Sequence, residues 1–266
     1  MRLITAGAVS PVDTSKVPNM AEYLPQFQSP AWLKKDDAIY GVPFGWGIVR
    51  VIANPDVVDA STDTLGFLWD KKYAGKFAVW DDIETVYMAA RYLGFKNTYS
   101  LSDDQLEQVK AKLIEMKPNI RKYWFTTGEM GNLMASGEVA GGNSWESTLV
   151  ELRAAGKKVV DLKPKEGRGG WSDSWMIVKG AEDNPCVYPW LNYVASAKTQ
   201  ALAHAVNGFG YPNPKMVEHL EGAAKANYAE LGMSDPSTLQ NVDWWQPVER
   251  RAKYLEIWNQ VKAASN

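Results

Sequence analysis

Residues 73–94 read YAGKFAVWDDIETVYMAARYLG, and that stretch limits the fold more than any other. A turn-rich YAG is followed by FAVW, four residues of strand-forming apolar type. Asp81 and Asp82 interrupt the run, and an amphipathic helical pattern then continues to Leu93 and stops at Gly94. Asp81 and Glu84 have capping-box spacing. A strand of this length leading directly into a helix is the repeating unit of an α/β chain.

The alternation continues. Ser102 and Gln105 predict the start of a second helix that ends near Pro118. Short apolar runs at 138–142, 158–162 and 175–178 read as strands, and 145–155 reads as a helix closed by Gly156. The last third is helical at 185–195 and 199–206. A closing helix from about 247 carries an apolar stripe of Tyr254, Leu255 and Trp258.

With 29 basic and 31 acidic residues, the formal charge of −2 leaves no cationic footprint for nucleic acid. No run approaches the roughly 18 apolar residues of a membrane span, so direct membrane insertion is not expected. The opening MRLITAGAVSPVDTSK lacks the apolar stretch of a secretory signal. One cysteine, Cys186, and two histidines, His204 and His219, give no basis for a metal site or cofactor. Gly142-Asn143-Ser144-Trp145-Glu146 starts like a hydrolase serine elbow, but Glu146 stands where a second glycine belongs. An enzyme using Ser144, or Asp82, Glu84 and Asp173 as acid and base, is therefore the remote alternative.

Aromatic content is the unusual feature, with twelve tryptophans and twelve tyrosines. Trp190 and Trp258 fall inside periodic segments and read as core. Trp46, Trp145, Trp171 and Trp245 stand at expected strand ends or turns, where ligands sit in open α/β sheets.

In order along the chain, YGVPFGWG, LWDKKYAGKFAVWDDIE, MASGEVAGGNSW, PKEGRGGWSDSWMIVKGA and GYPNP resemble the extracellular solute-binding proteins of ABC transporters, of the spermidine/putrescine type. The resemblance implies an α/β fold of the type II periplasmic binding class, two lobes of mostly parallel sheets flanked by helices, closing over a ligand in the cleft. Residues 1–53 and 171–213 would form the first lobe, and 54–170 and 214–266 the second. The first lobe would be incomplete, because Met1 falls well inside the family's pattern; its open edge would favour dimerisation.

By the same resemblance the chain is periplasmic, is not an enzyme, and delivers a small cationic amine to permease subunits. Trp145, Trp171, Asp173, Tyr211 and Gln246 match the polyamine-site residues of the family, with Asp82 and Glu84 in place of a carboxylate pair and Trp46 as a further aromatic. Asp173 would anchor one ammonium, Trp171 and Trp145 would sandwich the methylenes, and Tyr211 and Gln246 would supply neutral hydrogen bonds. The glycines of GRGGWSDSW would let the backbone turn into the cleft. The acidic pair is one residue tighter than the family pattern, and helix capping is its competing use. Glu146 replaces an asparagine common beside the site tryptophan. The alternative ligand is zwitterionic, an opine-like compound or an aminophosphonate, with Arg168 either its compensating cation or a solvated loop arginine.

Overall fold

A computed structural model describes residues 2–233 and 236–265; Met1, on which the expectation of an incomplete lobe turns, lies outside them. The chain divides into two compact units, Met1–Gly47 with Trp171–Leu239, and Ile48–Gly170 with Gln240–Asn266. Two stretches differ from the sequence-based division. Residues 48–53 belong to the second unit, because Arg50–Ala53 is a fully buried strand of its sheet. Residues 214–239 belong to the first, where the 3-10 turn Pro214–His219 packs on the helix Ala197–Asn207.

The second unit is built on a five-stranded sheet in the order Ile120–Trp124, Phe77–Trp80, Gly141–Ser144, Arg50–Ala53, Val160–Leu162. Its first three strands run parallel, and the last two pair antiparallel. The sheet is thus mixed where mostly parallel pairing was expected. Helical segments intervene between the parallel strands along the chain, whereas antiparallel pairs need no crossover helix. Close backbone contact at its centre depends on glycine. Gly142 has φ +149°, and a Cβ there would fall 2.9 Å from the Ala78 carbonyl carbon and nearer still to its oxygen.

The helix Asp103–Met116 has the anticipated capping box, with Ser102 and Gln105 each accepting the other's backbone N–H. Glu84–Tyr92 has none, and its N-cap is Ile83. Asp81 instead accepts hydrogen bonds from Trp258 Nε1 and Lys262 Nζ, both at 2.7 Å. The closing helix Arg251–Ala263 buries Tyr254, Ile257, Trp258 and Val261 in the core of this unit, and Leu255 is exposed. Short segments in the first unit pack around Trp46 and Phe27, whose rings stack at 6.2 Å and 19°. Trp190, expected in a core, is 47% exposed on the helix Val187–Val194.

Candidate functional site

In the second unit the parallel strands Ile120–Trp124 and Phe77–Trp80 both end in tryptophan, and Trp145 directly follows the third, Gly141–Ser144. Carboxyl ends of parallel strands are where α/β sheets receive ligands. Trp80 is the hub there. It stacks on Trp124 at 5.8 Å and 14° and on Trp245 at 6.1 Å and 21°. Trp145 meets it edge-on at 4.8 Å and 68° and meets Trp245 at 6.2 Å and 72°. Trp124 is buried, and the other three indoles are half-buried. The backbone of Trp80 is fixed on both sides, since its N–H donates to Asn143 Oδ1 at 2.8 Å and its carbonyl accepts from Thr85 Oγ1 at 2.7 Å. The half-buried rings of Trp80, Trp145 and Trp245 retain some solvent-facing surface, and an indole face that a cation can reach attracts it through the ring quadrupole.

The acids beside it have separate roles. Glu84 is buried, ion-pairs with Arg91, and accepts from Trp245 Nε1 at 2.8 Å. Arg91 also pairs with Asp243 at 3.2 Å. Burial pushes the Glu84 carboxyl up and Arg91 pulls it down. The expectation that Glu84 contacts ligand is corrected: its two oxygens hold Arg91 and Trp245. Asp82 is half-buried, and its Oδ1 accepts from the Glu84 N–H at 3.1 Å, so it tightens the turn into the helix. Burial raises its pKa, with the Glu84 N–H and Arg251 opposing. Gln246 is exposed, next to Trp245 in sequence.

Two further expectations change in this unit. Arg168 is buried and paired with Asp161 at 3.2 Å. Asp161 also pairs with Arg50 at 2.7 Å, and Glu146 lies 3.9 Å from Arg50. The arginine is neither a solvated loop residue nor a free cation for a zwitterion. GRGGWSDSW is no cleft turn, because Arg168–Trp175 is a continuous strand. Gly169 leaves room for a carboxylate: a Cβ there would lie 2.8 Å from Glu84 Cδ and Oε2 and nearer to Oε1. Nothing in the sequence signalled that contact.

Ser144 is fully buried, and its hydroxyl donates to the Trp145 carbonyl at 3.4 Å. Both His204 ring nitrogens lie against backbone carbonyls, of Phe209 and Ala224. A cavity of about 390 Å³ in the second unit is lined by charges of both signs, Arg91, Lys96 and Lys165 with Glu166 and Asp243, and it contains none of the indoles described above. Among the described residues no cluster of three metal-ligating side chains occurs, and no helix is long and apolar enough to cross a membrane.

In the first unit, Trp171, Asp173 and Trp175 share one face of the strand Arg168–Trp175. Trp171 is only 8% exposed. Its indole lies against Gly47, where a Cβ would come within 2.6 Å of the ring, and it meets Phe209 edge-on at 4.7 Å. Asp173 is exposed, yet partial desolvation pushes its pKa up. Tyr211 is buried, and its hydroxyl bonds to Asn207 while its ring packs on Phe44 at 5.1 Å. Its neutral hydrogen bond is therefore made within the protein. Trp46 is 1% exposed and backbone-paired with Gly210, a core residue in place of the further site aromatic expected. Trp80 and Trp124 belong to the indole group but were not singled out from the sequence: Trp80 closes the apolar run FAVW, whereas Trp124 ends the strand IRKYW, in which Arg121 and Lys122 break any apolar run.

An α/β chain of two units, with an indole group at the carboxyl ends of parallel strands, has the form of a ligand-binding protein. The sequence profile of the bacterial extracellular solute-binding proteins matches residues 1–230, and the chain belongs to that family. It is a solute-binding transport protein, not an enzyme. Among its relatives is the spermidine/putrescine-binding periplasmic protein of Escherichia coli strain K12, 26% identical over 261 residues, covering 97% of this chain and 73% of the relative. The putrescine-binding periplasmic protein PotF of the same organism is 23% identical, covering 96% and 70%. Of solved structures, the substrate-binding protein PotD of a Streptococcus pneumoniae spermidine/putrescine ABC transporter superposes with a TM-score of 0.82 at 21% identity, over 98% of this chain and 80% of that one. MotA of A. tumefaciens B6, in complex with glucopine, gives 0.72 at 20% identity, over 98% and 80%.

Proposed function

We propose that the chain is the substrate-binding component of an ABC transporter, acting in the periplasm, which captures a small cationic amine of the putrescine or spermidine kind and delivers it to permease subunits. The indole group of Trp80, Trp145 and Trp245, held at the carboxyl ends of parallel strands, carries this reading. A cation over an indole contributes about 0.5–2 kcal/mol and a charged hydrogen bond about 1.5–3 kcal/mol. Two of each give about 4–10 kcal/mol, a range that includes the roughly −8 kcal/mol of micromolar binding. Asp82 is the carboxylate beside the indole group and, separately, Asp173 is the carboxylate that the first unit offers, while Glu84 acts through Trp245. Gln246 adds a neutral hydrogen bond. Trp171, on the same strand face as Asp173 but only 8% exposed, supports that subsite from within, and Tyr211 does so through its packing on Phe44.

Titration of the purified chain with putrescine, spermidine and a zwitterionic amine, followed by tryptophan fluorescence and calorimetry, tests it. Saturable binding of the diamine and triamine, weakened by Trp145→Ala and by Asp173→Asn, is the expected result. No response to any polyamine, or tighter binding of the zwitterion, would overturn it.

A further inference from the structure

Exposure along the strand Arg168–Trp175 runs opposite to what tryptophan packing alone favours. Trp171 is 8% exposed, whereas Trp175, on the same face two residues beyond Asp173, is 40% exposed. A tryptophan side chain can bury some 150–250 Å², so a half-open one calls for a reason. Trp175 is not loose: Phe44 meets it edge-on at 5.9 Å and Trp190 at 5.5 Å. Trp190 in turn packs on Tyr193 at 5.9 Å, and both remain largely exposed. Fixed rings with open surface therefore continue outward from Asp173. Residues two apart on a strand are separated by about 6.6 Å and point to the same side, a spacing comparable to the ~6 Å range of cation–π attraction, which places the Trp175 ring next to a cation held at Asp173.

We infer that Trp175 is a ligand contact that walls the outer side of the Asp173 subsite, with Trp190 and Tyr193 continuing it as an apolar ledge, so that the subsite favours amines carrying an extended apolar chain. The inference rests on the amine reading above and adds a selectivity to it. The ammonium pairs with Asp173, and the chain lies along the indole of Trp175 and displaces water from the ledge.

The experiment is calorimetric titration of the full chain, and of its Trp175→Ala, Trp175→Phe and Asp173→Asn variants, with ethylamine, butylamine, hexylamine and putrescine. In the wild type affinity rises with chain length. Trp175→Ala lowers hexylamine affinity about tenfold, leaves ethylamine within about twofold, and flattens the length dependence; Trp175→Phe restores part of the slope. A purely structural role for Trp175 would lower all four ligands together, and urea denaturation of the variant reads any loss of fold. Equal losses at every length, or no loss, overturn the inference. Asp173→Asn separates it from the broader proposal: undiminished amine binding removes the Asp173 subsite, while absence of amine binding by the wild type removes both.

Discussion

Gly169→Ala is the smallest substitution that disturbs the support of the indole group. Gly169 does not occupy the left-handed region, so alanine meets no backbone strain, and the effect depends on Glu84 alone. The new Cβ would overlap the Glu84 carboxyl, with Cδ and Oε2 at 2.8 Å. The carboxyl must swing away and lose Arg91, Trp245 Nε1 or both. Breaking a buried ion pair costs about 3–5 kcal/mol, and an orphaned buried N–H about 1–3 kcal/mol. Asp243 still holds Arg91 at 3.2 Å. The net expectation is therefore about 2–4 kcal/mol of destabilisation, below the full cost of an unpaired buried charge. Urea denaturation followed by circular dichroism measures it.

The mechanism itself is tested in a Glu84→Ala background, where the same glycine substitution should cost under about 0.5 kcal/mol because the overlapping group is gone. A matched control is Gly128→Ala. Gly128 lies in the helix Thr127–Ala135 with nothing within 4 Å of a new Cβ. It should be neutral or gain up to about 1 kcal/mol. Gly169→Ala within about 0.5 kcal/mol of wild type, the range of ordinary surface changes, would refute the reasoning.

Trp145→Ala removes an edge contact to Trp80 and one cation platform, and amine affinity measured by calorimetry should fall about tenfold, or roughly 1.4 kcal/mol. Arg168→Ala strips Asp161 of one of two arginines and should destabilise the protein by about 3 kcal/mol in urea, the low end for a broken buried pair because Arg50 remains. Asp173 and Asp82 both have pKa values raised by desolvation, so the charged forms that bind ammonium are lost as pH falls at a higher pH than the ordinary carboxylate value of 3.8. Amine affinity should accordingly weaken on acidification, and Asp173→Asn should reduce that dependence. For the free protein the sign is opposite. An acid whose folded pKa lies above its unfolded value destabilises the fold once ionised, so wild type should gain stability relative to Asp173→Asn as pH is lowered through that window.

Several elements were legible because their signals are local. FAVW is the strand Phe77–Trp80 residue for residue, and Ser102 with Gln105 fixes its helix start through bonds within four residues. Side-chain roles were less legible. Asp81, Asp82 and Glu84 look alike as a run of acids, yet one accepts from Trp258 and Lys262, one tightens a turn, and one is buried between Arg91 and Trp245. Their partners lie up to 181 positions away, beyond any periodicity. Trp46, Trp171 and Trp175 likewise share a composition of neighbours rich in glycine and aromatic residues, and only the packing of Phe27, Gly47 and Phe44 separates core from surface among them.

The order of residue types by itself determined the α/β alternation, the capped start of the helix Asp103–Met116 and the motifs that mark the solute-binding family, because those depend on bonds and apolar faces between near neighbours. Only the tertiary structure decided that Arg168 is a buried ion-pair partner, that Gly169 makes space for Glu84, and that Trp80 is the centre of the indole group. Each of these follows from distance and desolvation between segments far apart in the chain, which determine whether a charge is free and whether a ring face is open.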